Sequence, residues 1–167
     1  LKTLIGEQKQ IEGQTYIGNG IKIGYISQDT KEENNESIEE YVKNSLKNQK
    51  IDNSSIIYTV LNQFNFDYEE RTKKYSILSP GERTRLKLAI FSLEDINTLI
   101  LDEPTNHLDI EALEAIEEVL KDFNGTVIAI SHDRQFIKNI YPNKILKFTK
   151  GKIQEIYHRE DNDYNFR

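Results

Sequence analysis

Residues 97–109 read NTLILDEPTNHLD. An apolar run ends in two adjacent carboxylates, Asp102 and Glu103, and Pro104 stops it at once. Nearly continuous apolar character marks a strand covered on both faces. Its carboxyl end is where open α/β sheets receive ligands. An aspartate placed there suits a magnesium ion, directly or through water. A glutamate beside it suits orienting or deprotonating a water molecule. An Asp-Glu pair alone also fits a solvated strand end, so the rest of the chain has to decide.

The chain has 167 residues, enough for one domain with a buried core. Apolar residues make up 37% and charged residues 30%, a globular mixture. No run reaches the roughly 18 apolar residues that a membrane-spanning helix needs. No secretory leader pattern opens the chain. Cysteine is absent, which excludes disulfides and thiolate metal sites and fits a reducing, cytoplasmic setting. The net charge of −6 argues against nucleic-acid binding through bulk charge. Methionine is absent even at position 1, so the chain is expected to begin inside a larger protein.

Outward from the opening stretch, buried strands alternate with helices. "LKTLIGE" reads as the last turns of a helix closed by Gly6. Strands near 14–17 and 21–26 flank "GNG" as a hairpin. "SIEEYVKNSLK" is an amphipathic helix with a capping box from Ser37 to Glu40. "SSIIYTVLNQF" is a second helix. "SPGERTRLKLAIFSLED" is a third, with Leu86, Ala89, Ile90 and Leu93 facing inward. "DIEALEAIEEVLKDFNG" follows, capped by Asp109 and stopped at Gly125. "TVIAIS" reads as another buried strand, "DRQFIKNI" as a short helix, and "KILKF" with "KIQEIY" as a late hairpin. The pattern is an α/β fold with a parallel central sheet.

Three further stretches carry chemistry. In "LSPGE", Ser79 fits an N-cap, Pro80 the first helical position and Glu82 the third. Gly81 leaves the first turn without a side chain, and free N–H groups at such a terminus attract anions. A well-capped ordinary helix reads the same way. In "ISHD", His132 stands at a strand tip before a helix capped by Asp133. There it fits a phosphate or water contact, or simple packing at a helix start. Gln28 follows a strand end, where an amide suits a metal ion or water. Arg71, Lys73, Lys74, Arg83, Arg85 and Lys87 form a basic cluster that reads as a solvated helix face rather than an RNA contact.

The order of these features resembles the nucleotide-binding domain of ABC-type ATPases. Gln28 matches the Q-loop, "LSPGE" the signature with proline where glycine is common, and "LILDEP" the Walker B strand with its glutamate. Residues 106–109 match the D-loop, and His132 matches the switch histidine. "EPTNHLD", "GERTRLKLA" and "NGTVIAISHDRQFI" resemble the ABC-F class, twin-cassette proteins that work on ribosomes, some of them protecting against antibiotics. The interval from Gln28 to Ser79 is short for the first cassette of that class, which suggests the second, C-terminal one.

The resemblance implies a P-loop NTPase fold over 1–167, with a helical insertion over about 29–78. The signature helix, Walker B, switch and hairpin would cover 79–157, and a loose tail 158–167. It implies ATP and Mg²⁺ as cofactors. Gln28, Ser79, Pro80, Gly81, Glu82 and Asp109 would bind nucleotide, Asp102 and Gln28 would meet the metal, and Glu103 and His132 would be catalytic. A second cassette, arranged head to tail, and the ribosome would be partners.

The phosphate loop G-x-x-x-x-G-K-[ST] is not in the sequence. "LKTLIGE" resembles what directly follows that loop, so the chain is expected to be a fragment that is inactive alone. The strand preceding the loop would lie between "TVIAIS" and "KILKF", leaving two strand edges open and the isolated chain unstable or rearranged. Two other readings remain: the ATP-binding subunit of a membrane transporter, and a module acting only in trans through "LSPGE".

Overall fold

The computed structural model describes residues 1–27, 34–49, 51, 53–106, 108 and 110–156. Its centre is a three-stranded parallel sheet in the order β1 (Ile23–Ile26), β2 (Thr98–Asp102), β3 (Thr126–Ile130). The register sets Tyr25 against Ile100 and Ile26 against Leu101. On the other side Leu101 faces Ala129, and Asp102 faces Ile130. Side chains alternate faces along a strand. The row Ile26, Leu101 and Ala129 therefore joins Leu99 and Val127 in one core. Ile116 of α5 (Ile110–Asp122) and Phe136 of α6 (Arg134–Asn139) complete it. The opposite row holds Tyr25, Ile100 and Asp102.

Between β1 and β2 the chain forms a helical unit with its own core. It contains α1 (Ile38–Ser45), α2 (Ser54–Gln63), α3 (Tyr68–Thr72) and α4 (Pro80–Leu93). The capping box at Ser37 forms as the sequence predicts, through Glu40. Ile38, Val42, Leu61, Tyr75, Leu86 and Ala89 are all wholly buried in it. Leu93 is partly buried against this core, and Leu88 on the same helix enters the sheet core, so α4 belongs to both. The end of α4 lies close to β1. A Cβ on Gly24 would meet Ile96 Cδ1 at 2.7 Å and Phe91 at 3.1 Å, so a larger residue there would have to push these side chains aside.

Several expectations are corrected. The opening helix is a single turn: Ile5 N–H donates to the Leu1 carbonyl at 3.2 Å, and Gly6 follows at φ +84°. No hairpin forms over 14–26. β1 spends its ladder on β2, and the Asn97 side chain secures its entry instead, donating to the Gly20 carbonyl at 2.8 Å and accepting from Lys22 N–H at 3.0 Å. β3 is half-exposed rather than buried, with Ile130 at 43%. Among the described residues it pairs only with β2. β4 (Ile145–Thr149) and β5 (Lys152–Ile156) form a separate antiparallel sheet. Among the described residues the edges that the resemblance leaves without a neighbour are thus open, and no rearranged pairing closes them.

The basic cluster is not one solvated face. Arg71 and Arg85 are each only 8% exposed. The guanidinium of Arg71 lies 4.4 Å from the centre of the Tyr58 ring, and that of Arg83 5.4 Å from Tyr75. Planar cations stack on aromatic rings in this way and so enter a core that lysine leaves.

Candidate functional site

The tip of β2 brings three predicted residues together. After Asp102 the β2–β3 ladder runs one residue further, with Glu103 N–H donating to the Ile130 carbonyl at 2.9 Å. Glu103 then takes φ +50°, a left-handed conformation unfavourable for a residue with a Cβ. That turn, with the buried Pro104 behind it, aims the side chain toward the tip of β3. His132 stands just past that tip, ahead of α6, whose N-cap Asp133 accepts from the N–H groups of Gln135 and Phe136. Glu103 Oε2 and His132 Nδ1 are 2.7 Å apart. A proton on Nδ1 makes this a bond donated to the carboxylate and leaves Nε2 for another partner. The histidine is 74% exposed and the glutamate 22%, so the pair opens to solvent on the histidine side.

Asp102 is held differently. The Tyr25 hydroxyl donates to its Oδ2 at 3.1 Å. Burial and the Asp102 carboxylate together push the Tyr25 phenol up to about 12. Among the described residues no hydrogen bond or ion pair reaches Oδ1. The sequence reading overlooked Tyr25. Its signal was the strand pairing: a β1 aromatic two residues out of step with Asp102 on the same face of the sheet.

The start of α4 is a second, separate feature. Ser79 Oγ accepts from Glu82 N–H at 3.2 Å, and the Glu82 carboxylate accepts from Ser79 N–H at 2.7 Å, the reciprocal box that the sequence predicts. Ser79 and Pro80 are exposed. Gly81 is buried, which corrects the expectation of an open backbone there. It lies on the inward stripe of α4 with Arg85 and Leu88. No hydrogen bond or ion pair among the described residues joins this helix start to Asp102, Glu103 or His132. Gln28 and Asp109, read as nucleotide contacts, lie outside the described residues, as does His107 of the D-loop. Asn106 of that loop donates its N–H to the Glu103 carbonyl at 3.2 Å.

The donor set fits magnesium bound with a phosphate. Among the described residues no group of three or more His, Asp or Glu side chains could hold a metal by itself. Mg²⁺ typically takes only one or two carboxylates, the rest of its shell coming from phosphate and water. One carboxylate at a strand tip, with an oxygen that no described residue bonds, is that arrangement.

The model of the ABC transporter family matches residues 1–106. The chain belongs to this family. It is 34% identical over 169 residues to ABC transporter F family member 2 of Arabidopsis thaliana, a match covering 99% of this chain and 24% of that protein. It is 41% identical over 143 residues to the ATP-binding protein Uup of Buchnera aphidicola, covering 83% and 24%. Ribosome protection protein VmlR of Bacillus subtilis is 30% identical over 151 residues, covering 90% and 27%. The chain thus spans about a quarter of the length of these relatives.

Solved structures share the fold. One of a putative metal-chelate type ABC transporter in an inward-facing conformation gives a TM-score of 0.72 at 21% identity, covering 93% of this chain and 66% of that one. One of a complex of the archaeal ribosomal stalk protein aP1 with the ribosome recycling factor aABCE1 gives 0.67 at 21% identity, covering 90% and 29%. Among the described residues no helix is long and apolar enough to cross a membrane.

Proposed function

We propose that this chain is part of an ATP-hydrolysing cassette of an ABC-F protein that works on the ribosome in the cytoplasm, its second, C-terminal cassette. The observation that carries the chemistry is the 2.7 Å contact between Glu103 and His132 beside Asp102. Asp102 would hold the cation through its carboxylate. Glu103 orients a water and takes its proton, and His132 keeps the carboxylate aimed through Nδ1. Bound Mg²⁺ would draw charge off the phosphates. Ser79 and the start of α4 would face the nucleotide of a second cassette, where a capped helix terminus suits phosphate oxygens. The phosphate loop would come from other sequence of the same protein, so this chain alone would not turn over ATP.

The ribosomal assignment is supported by relatives named as F family members and as a ribosome protection protein. The interval from Gln28 to Ser79 supports the C-terminal position. In the protein that also carries a phosphate loop, Glu103→Gln is expected to lower ATP turnover by about 10²–10⁴-fold with ATP binding kept. Undiminished phosphate release would remove Glu103 from the mechanism. Sedimentation with ribosomes in the presence of ATP tests the partner; co-purification with a membrane protein instead would favour a transporter subunit.

A further inference from the structure

Tyr25 belongs to none of the motifs through which the family is recognised, yet it makes the single side-chain hydrogen bond to Asp102 among the described residues. Its place follows from strand pairing. On β1 it sits opposite Ile100, and Asp102 lies two residues further along β2, so both side chains leave the same face of the sheet. That diagonal is too long for most side chains and within reach of an aromatic one. The Tyr25 hydroxyl closes it at 3.1 Å. A carboxylate at a strand end otherwise turns broadly about its last torsion.

We propose that Tyr25 is a positioning residue for the cation site: by donating to Oδ2 of Asp102 it fixes the carboxylate plane and leaves Oδ1 as the oxygen that meets the metal. The proposal rests on the reading of Asp102 as the magnesium carboxylate. Phenylalanine at this position keeps the ring and its packing and removes only the donor. The loss therefore falls on metal affinity, and nucleotide contacts that involve no metal are spared.

The test compares Tyr25→Phe with the parent in the full-length protein, using Mn²⁺ as the cation and a non-hydrolysable ATP analogue. Bound Mn²⁺ is read by electron paramagnetic resonance, and analogue affinity is measured separately without divalent cation. Tyr25→Phe is expected to weaken Mn²⁺ binding about ten-fold and leave metal-free analogue binding unchanged. In an Asp102→Asn background the same change is expected to add nothing, because the carboxylate it positions is gone. Unchanged Mn²⁺ binding in Tyr25→Phe overturns the proposal. So does an equal loss of metal-free analogue binding, which marks a merely structural residue, and so does tighter Mn²⁺ binding, which makes the hydroxyl a competitor for the metal. A parent that binds no analogue overturns the ATP reading itself, and this proposal with it.

Discussion

The helical unit and the sheet both carry apolar residues to hide, and they end up buried to different degrees. In the helical unit Ile38, Val42, Leu61, Tyr75 and Leu86 are wholly covered, by residues drawn from the segment between Ile38 and Ile90. In the sheet, "TLIL" of β2 is covered throughout, while "TVIAI" of β3 has both ends exposed and its middle half-covered. A helix hides its stripe against neighbours brought by short loops. A strand is hidden by the layers on its faces and by the strands beside it, and β3 has one described neighbour. β3 is thus less covered than its own hydropathy predicts, and it stands at an open edge.

The most direct way to break that contrast is to cut matched side chains. Leu61→Ala, in the closed helical core, is expected to cost about 2–5 kcal/mol in urea unfolding. Ile130→Ala, at the open tip of β3, is expected to cost less than about 1 kcal/mol, since surface changes rarely exceed half of that. Equal costs would mean that the β3 edge is covered in solution. A second copy of the chain is then the first partner to look for, by repeating the measurement over a range of protein concentration.

The same contrast explains what could be read in advance. The helix starts were legible to the residue, because Ser37 with Glu40 and Ser79 with Glu82 satisfy their own orphan amides within four positions. The run to Asp102 was legible because its strand is covered on both sides. The meeting of Glu103 and His132 was legible only through the family resemblance, since strand pairing across the interval of α5 creates it. Tyr25 was not legible, because its partner is fixed by register. The hairpin expected over 14–26 failed for a related reason: β1 had a better partner far along the chain, and the Asn97 amide, with no local signal, took over the turn's work. Arg71 on the Tyr58 ring and Arg85, whose guanidinium lies 5.8 Å from the centre of the Phe66 ring, were misread because charge predicts exposure and says nothing of the rings beneath.

Capping gives a middle-sized test in which the two regions should behave alike. Ser79→Ala removes the bond to Glu82 N–H in the helical unit, and Asp133→Ala removes bonds to Gln135 and Phe136 N–H beside the sheet. Each is expected to cost about 1 kcal/mol, read as a lower midpoint of chemical unfolding. A cap is a local device, so its worth should not depend on whether the strand next to it has an open edge. A much smaller loss at Asp133 would show that the last third of the chain unfolds apart from the rest, and that the sheet's weakness extends into its helices.

The smallest expected effect concerns acid. Glu39 Oε1 accepts from Lys43 at 2.5 Å and from the Tyr58 hydroxyl at 2.6 Å, and these two donors hold its carboxyl below the usual range. A depressed carboxyl stabilises the fold fully above its unfolded value, about pH 4.3, and the contribution is lost as pH falls through the lower folded value. The helical unit should therefore lose part of its stability below about pH 4.3, and Glu39→Gln should flatten that acid limb while lowering stability at neutral pH. The group is half-exposed, so the change stays small beside Leu61→Ala. Its value lies in its location: an acid limb that vanishes with Glu39 belongs to the helical unit. If the limb survives in Glu39→Gln, its source is another carboxyl, and Glu40 of the same helix, held low by the Ser37 N–H and hydroxyl, is the next to replace.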